Sequence, residues 1–160
     1  ATYIIEQIIQ DADFLPRNDC AGLVGSTCLR PYNEWNALLT TRWSSGPLTL
    51  QLDTRLISGV EQDAIALAGP PPDPLPDDYV PPADLYAVDA TSTYVYWDLR
   101  GQYDLNDTWT VRAGIENLFD REPPIVGDFY GGTAENSGST YPSVYDALGR
   151  AFTLGITARF

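Results

Sequence analysis

The chain has 160 residues, with 9 cationic and 22 acidic side chains, so its formal net charge is −13. So acidic a chain is not expected to bind nucleic acid, because phosphate neutralisation requires clustered positive charge. All nine cations are arginine and histidine is absent, which excludes histidine-based catalysis and histidine metal sites. No apolar run approaches the roughly 18 residues that a spanning helix needs. The strands of a membrane β-barrel alternate between apolar and polar residues and form no such runs, so this class of protein is not excluded.

The first two predicted strands lie on either side of a loop that contains both cysteines. Thr2–Gln10 has isoleucines at helical spacing, but its Tyr-Ile-Ile start favours a strand, and Glu34–Ser45 alternates with period two. Between them, Cys20 and Cys28 lie among prolines and glycines. Paired loop cysteines without histidine predict a disulfide made in an oxidising compartment. Two free thiols or half of a metal site are the alternatives.

Four further segments alternate as strands do: Leu48–Val60, Tyr94–Leu105, Trp109–Asn117 and Ala151–Phe160. Each places aliphatic and aromatic side chains on one face and polar side chains on the other. The charged side chains share the polar parity and are predicted to face a lumen: Arg42, Asp53, Arg55, Asp98, Arg100, Arg112, Glu116 and Arg159. Arginine on a lipid face at mid-depth would cost about 2–4 kcal/mol, which favours this assignment. A solvated face of a soluble sheet would show the same parity.

The connections between the strands alternate in length. Ser44–Pro47 and Asn106–Thr108 are short, whereas Asp11–Asn33, Glu61–Asp89 and Asp120–Arg150 are long. Outer-membrane barrels have short periplasmic turns and long extracellular loops, whereas a soluble sandwich has no reason to alternate in this way. The chain is therefore predicted to be an all-β, antiparallel transmembrane β-barrel fragment of about six strands. The last strand then runs toward the periplasm.

Aromatic residues on the apolar faces are predicted to form two bands. The periplasmic band contains Trp43, Tyr103, Trp109 and Phe160, and the external band contains Trp35, Trp97 and Phe152. Two such bands are typical of the girdles at the two interfaces of a membrane barrel. Aromatic packing in a soluble core is the alternative.

Two of the long loops contain candidate binding residues. Asp73, Asp77 and Asp78 lie in a proline-rich acidic segment and could hold calcium or bridge lipopolysaccharide through their carboxylates, although a solvated external lid is favoured. The last loop contains the aromatic residues Phe129, Tyr130 and Tyr141. Such rings can stack on sugars or grip a ferric siderophore. The alternative is that these rings only pack the loop or lie among headgroups.

Catalytic chemistry is not expected. Cys20 and Cys28 have no general base, and the serine and aspartate residues of the loops follow no nucleophile-elbow pattern. The glycine pairs have no phosphate-loop lysine. The chain is therefore predicted not to be an enzyme and to need no cofactor.

Two motifs resemble the TonB-dependent receptors of the bacterial outer membrane. Ala113–Pro124 contains the segment Glu-Asn-Leu-Phe-Asp and looks like the exit of the family's penultimate strand; Tyr145–Phe152, leading into Phe160, resembles its final strand. The segment Cys20–Trp35 looks like a variable loop of one branch. The resemblance implies a barrel of about 22 strands filled by an N-terminal plug. Residues 1–160 would be its C-terminal portion, with the plug domain and N-terminal strands absent.

The resemblance also implies a function. It is active uptake of a scarce nutrient, a ferric siderophore first and a glycan or other small nutrient next, with energy from TonB through the missing plug. Phe152 and Phe160 would be the signal to the barrel-assembly machinery, and the other partners would be outer-membrane lipid, lipopolysaccharide and the nutrient. A passive porin-like or structural barrel and a soluble all-β binding module are the alternatives.

Overall fold

The structure is a computed structural model that describes residues 1–10, 13–85, 88–125 and 140–159. Its strands are β1 (Thr2–Tyr3), β2 (Ile8–Ile9), β3 (Asn18–Asp19), β4 (Leu23–Val24), β5 (Trp35–Ser45), β6 (Leu48–Ile57), β7 (Glu61–Gln62), β8 (Tyr94–Asp104), β9 (Trp109–Glu116) and β10 (Ala151–Ala158). Two short helices, α1 (Asp63–Ala66) and the 3-10 helix Pro82–Leu85, lie between β7 and β8. Among the described residues, no helix is long and apolar enough to cross a membrane.

Six strands form one open antiparallel sheet in the order β1-β5-β6-β8-β9-β10. Apart from β1, each of these strands pairs with the one before it in the sheet, as consecutive hairpins do. The turn between β5 and β6 is two residues long, and Gly46 adopts the positive φ of 54° there. At the β8–β9 turn, Asn106 Oδ1 accepts the N–H groups of Thr108 and Trp109, each at 2.9 Å. The all-β antiparallel prediction is confirmed.

The first predicted strand, Thr2–Gln10, is wrong as a single element. Only β1 pairs with β5, whereas β2 pairs with β3 in a separate two-stranded sheet. The break occurs because Gln7 has partners in the loop: its N–H donates to Asp19 Oδ1 at 2.9 Å, and its carbonyl accepts the N–H of Cys20 at 2.7 Å. Ile8 and Ile9 therefore pair in a local hairpin and not in the main sheet.

The other strand ends differ from prediction by at most three residues. The largest difference is in Leu48–Val60, whose strand ends at Ile57. Beyond that point Val60 hydrogen-bonds to Thr91: its N–H donates to Thr91 Oγ1 at 3.0 Å, and its carbonyl accepts the N–H of Thr91 at 2.8 Å. The chain thus leaves the sheet to bind the long connection before β8.

The register places the apolar side chains on one face of the sheet and the charged ones on the other. Leu52, Leu99, Ile115 and Phe152 are aligned across four strands on the apolar face. That face is exposed, with Phe152 at 71% and Leu154 at 77%, whereas Asp53 and Asp98 on the polar face are 5% and 4% exposed. A soluble sheet buries its apolar face, so the distribution here is the reverse and suits an apolar surrounding.

The aromatic residues of the apolar face lie at opposite ends of the strands. Trp43, Tyr103 and Trp109 are beside the two short turns, and Trp35, Trp97 and Phe152 are at the long-loop ends. The two predicted bands are therefore present among the described residues. Phe160 lies outside them.

The hydrophobic core lies at the long-loop end of the sheet. One buried cluster joins strand residues to loop residues and contains Val24, Ile57, Val60, Tyr96, Tyr141 and Tyr145. A second contains Leu23 with Cys20 and Cys28, which form the predicted disulfide. The first two long loops are joined by a parallel pairing of β4 with β7. These packed loop segments at the long-loop end of the sheet are called the loop cap below.

Candidate functional site

The polar face carries a network of charged side chains centred on Arg55. Its Nε donates to Asp98 at 2.9 Å and its Nη1 donates to Asp146 at 3.0 Å, and its guanidinium lies 5.0 Å from the centre of the Tyr96 ring. Asp98 also accepts the N–H of Asn117 at 2.9 Å. Arg55 therefore joins two strands of the wall to the last long loop.

A second group of partners surrounds the buried carboxylate of Asp53. Thr40 donates to it at 2.6 Å, Gln51 donates at 2.9 Å, and Arg100 completes an ion pair. Arg100 also lies 3.6 Å from Glu116. Each of these contacts joins side chains of the same face. A buried carboxylate is stable only when paired and hydrogen-bonded, and Asp53 meets that condition.

The short-turn half of the polar face has cations with fewer acidic partners. Arg112 donates to Gln102 at 3.0 Å and to Thr157 at 2.8 Å, both neutral groups. Arg42 lines the same cavity as Arg100 and Arg112, with a volume of about 440 Å³. The eight residues predicted to face a lumen lie at the strand positions of the polar face. Arg159 lies one residue beyond the end of β10.

The described C-terminal part of the last long loop, residues 140–150, packs over the polar face. Tyr145 stacks edge-to-face on Tyr94 with 5.0 Å between ring centres, and Tyr141 is 1% exposed in the same cluster. In this conformation the ring of Tyr141 packs in the buried cluster, as in the alternative that the loop aromatic residues only pack the loop, and its contact with a ligand stays a prediction. Phe129 and Tyr130 lie outside the described residues.

The two motifs that suggested the resemblance meet in space. Asn117 adopts a φ of 50°, and its side chain accepts the N–H of Arg121 at 2.9 Å and donates to that residue's carbonyl at 3.0 Å. Asp120 then accepts the N–H of Arg150 at 2.8 Å, beside Gly149 with its φ of 71°. The motif residues thus build the exit of β9 and the entry of β10.

Asp63 holds the disulfide loop against the second long loop. Its buried carboxylate accepts the N–H groups of Thr27 at 2.7 Å and Cys28 at 2.8 Å. Asp19, nearer the surface, accepts N–H groups from Gln7 and Ala21. These two backbone hydrogen bonds lower the pKa of Asp19 below its ordinary value.

The calcium hypothesis for Asp73, Asp77 and Asp78 has no assembled ligand set. Within the described ranges, no three acidic or cysteine side chains are grouped so as to hold a metal ion. The three aspartates lie in the exposed proline-rich segment, where their carboxylates are solvated.

Sequence reasoning missed the roles of Asp146, Asp63 and Asn117. Asp146 and Asn117 lie within the two motifs, whose pattern predicts the ends of strands but assigns neither residue a partner. No local pattern marks Asp63, because its partners are 35 and 36 residues away in the chain.

An antiparallel sheet with an exposed apolar face, a charged polar face and long loops packed at one end defines a wall segment of an outer-membrane type of β-barrel. No protein-family model and no curated protein matches the sequence. The chain is similar to solved structures of the ferric enterobactin receptor of Pseudomonas aeruginosa. A variant in complex with enterobactin has a TM-score of 0.50 and 21% identity, over 80% of this chain and 17% of the receptor. Two other variants of that receptor have TM-scores of 0.49, with the same identity and 16% of the receptor covered.

This likeness concerns the fold. The chain spans about one sixth of the length of the receptor chains that it matches. The chain folds as an open antiparallel wall segment similar to part of that receptor's barrel, and the predicted fold class is confirmed.

Proposed function

We propose that residues 1–160 are the C-terminal portion of a TonB-dependent transporter that takes up a scarce nutrient across the bacterial outer membrane. The observation that carries the proposal is the reversed sheet, whose apolar face is exposed while its buried charges lie on the opposite face. Such a wall is stable with lipid on one side and a polar interior on the other. The fold likeness supports the same conclusion.

The favoured nutrient is a ferric siderophore, with a glycan or another small nutrient next. The similar receptor is described as binding enterobactin, and a receptor barrel with long, internally packed loops suits capture of a compact ligand. In this proposal Phe129 and Tyr130 are the loop aromatic residues that contact it. Tyr141 instead holds the base of that loop against the wall.

The proposed mechanism divides the work between loops, wall and plug. The loops Asp11–Asn33, Glu61–Asp89 and Asp120–Arg150 receive the ligand at the external surface. The Arg55 network anchors the last of these loops to the wall, so ligand capture takes place over a rigid base. The plug, which engages TonB, then opens the path along the charged face.

An uptake assay in cells tests the proposal. A strain deleted for the complete gene is complemented with the intact gene or with one lacking the codons for residues 1–160, and uptake of ⁵⁵Fe-labelled enterobactin and of other labelled nutrients is followed. We expect uptake of at least one labelled nutrient only with the intact gene, and its loss when TonB is removed.

Two results would contradict this function. Uptake that continues without TonB would indicate a passive barrel. Recovery of the intact protein as a monodisperse monomer in aqueous buffer without detergent would indicate a soluble binding module, since the exposed apolar face would then have no lipid to cover it.

A further inference from the structure

The disulfide between Cys20 and Cys28 closes a ring in the first long loop, and the second long loop docks on this ring. The ring consists of residues 20–28 and includes β4. β4 pairs in parallel with β7 of the second loop, and the carbonyl of Gly22 accepts the N–H of Glu61 at 2.8 Å. The contact between the two loops is therefore made by the backbone of the ring.

Asp63, which directly follows β7, adds a charged contact to the same ring. Its Oδ2 accepts the N–H of Thr27 at 2.7 Å and that of Cys28 at 2.8 Å. Both donors belong to the last two residues of the ring, and they converge on a single oxygen atom. The second loop thus places a carboxylate where the disulfide bond completes the ring.

The buried carboxylate of Asp63 depends on those two donors. The residue is 0% exposed, and among the described residues no cation lies within ion-pair distance of it. Its second oxygen, Oδ1, is also buried and has no hydrogen-bond partner. A buried charge is costly unless it is paired or hydrogen-bonded. Asp63 is therefore stable in this position only while both N–H groups point at it.

The disulfide bond limits the conformations that the ring can adopt. Gly22 and Gly25 within it have positive φ values of 77° and 152°. Glycine in an open chain leaves such conformations freely. A cross-link removes many of the alternative conformations of a short segment. Without the bond, the two N–H groups would converge on Asp63 in a smaller part of the population, and burial of its carboxylate would lose its compensation.

We propose that the redox state of Cys20 and Cys28 is a switch for the docking of the second long loop. In the oxidised state the ring receives Asp63 and β7, and the loop cap assembles. In the reduced state Asp63 leaves the buried position and the second loop separates from the first. The two thiols form the bond by giving two electrons and two protons to an external disulfide, which becomes two thiols. The loop cap thus assembles in an oxidising compartment.

Hydrogen exchange of the complete protein in detergent tests the switch. Because both cysteines are fully buried, the redox state is set while the protein refolds from urea, with oxidised glutathione in one sample and dithiothreitol in the other. The amides of Gln62 and Leu67, which bind the carbonyls of Asp89 and Asp63, should exchange about tenfold faster or more in the reduced protein. The amides of β9 should exchange equally in both.

The variant Asp63→Ala shows whether the disulfide acts through this carboxylate. In the oxidised protein it should speed exchange of the second loop as reduction does. In the reduced protein it should add less than about twofold, because the contact is already lost. Asp120→Ala is the matched control: this carboxylate also accepts a distant backbone N–H, from Arg150, and its loss should leave the second loop unchanged.

A second way to remove the bond covers the case in which the reduced protein does not refold. The double variant Cys20→Ala with Cys28→Ala is produced in cells and should show the same faster exchange of the second loop. Retention of the folded barrel is checked for each sample by its heat-dependent mobility on gels.

The proposal is overturned if the second loop exchanges equally in folded protein with and without the bond. It is also overturned if Asp63→Ala speeds exchange by the same factor in both states. The switch concerns the loops alone, so a protein that takes up nutrient but shows equal exchange would lose only the switch. A protein that shows the expected exchange but transports nothing would lose only the proposed function.

Discussion

At the scale of single residues, Gly25 occupies the tightest position in the loop cap. Its φ is 152°, and a Cβ there would overlap the side chains of Asp63 and Gln62. The two side chains are buried, and Asp63 is held by two N–H donors of the disulfide loop. Neither can move away without breaking contacts that join the first two long loops.

Gly25→Ala should therefore destabilise the loop cap, by about 1–3 kcal/mol as expected for overpacking at a well-packed site. Hydrogen exchange of the amides of Thr27 and Cys28 measures the opening of the cap directly. Gly155→Ala is the matched control, because its added methyl group meets open space. Equal protection of the two amides in both variants would show that Gly25 is not constrained.

Asp19 gives the first long loop a dependence on pH. Its carboxylate accepts two backbone N–H groups, so its pKa in the folded state lies below the ordinary value of 3.8. A lowered pKa means that the ionised carboxylate stabilises the β2–β3 hairpin above the unfolded pKa. That stabilisation is lost as the pH falls through the folded pKa.

The amide chemical shifts of Gln7 and Ala21 should accordingly titrate with a midpoint below pH 3.8. In Asp19→Asn the same titration should be absent, because the amide side chain has no proton to gain. A midpoint above 3.8 in the unaltered protein would contradict the hydrogen bonds that are described here.

At the scale of elements, the contact between Arg55 and Asp146 holds residues 140–150 of the last long loop against the wall. It joins residues that are 91 positions apart and brings Tyr145 onto Tyr94. Both side chains are only partly exposed, at 32% and 24%. Removal of Arg55 leaves Asp146 without its counterpart in a partly desolvated site, which is the costly case, whereas removal of Asp146 leaves Arg55 paired with Asp98.

A double-mutant cycle of Arg55→Gln and Asp146→Asn should give a coupling free energy of about 1–2 kcal/mol. Each single variant should also increase proteolytic cleavage between residues 140 and 150, because the loop is released from the wall. The matched pair Arg150→Gln and Asp120→Asn joins more exposed side chains at 3.6 Å and should couple by less than about 1 kcal/mol. Equal coupling of the two pairs would argue against a special role for Arg55.

At the scale of the whole molecule, two neighbouring leucines distinguish the two faces of the wall. Leu38 and Leu39 are adjacent on β5 and are each 61% exposed. Leu38 aligns with Arg55 on the polar face, whereas Leu39 aligns with Thr54 on the apolar face. Their equal exposure means that only the surrounding medium can make them behave differently.

Leu39→Arg should lower the free energy of unfolding in lipid vesicles by about 2–4 kcal/mol, because it places a charge in hydrocarbon. Leu38→Arg should cost less than about 1 kcal/mol, the scale of a like-charge cross-strand pair with Arg55. Urea titration of the complete protein in vesicles measures both values. Equal costs would contradict a lipid-facing apolar surface.

Much of the sheet could be predicted from the sequence because the side chains of a strand alternate between two faces. The alternation with period two predicts that Arg100 and Leu99 lie on opposite faces of the sheet, and the register between β6 and β8 agrees. The short and long connections determined which strands are hairpin neighbours. The alternation did not predict the first strand correctly. Ile8 and Ile9 pair with Asp19 and Asn18 in a local hairpin, and no hydrophobic period marks that pairing.

What the sequence by itself determined is the alternation: five long strands of the main sheet, a charged face, an apolar face and a cysteine pair close enough to bond. These follow from local geometry, which depends on residues a few positions apart. Only the tertiary structure decided that Asp146 binds Arg55, that Tyr141 is buried and that Arg42 and Arg112 line one cavity. Those contacts depend on which distant segments the register and the loop packing bring together, and no short-range pattern encodes them.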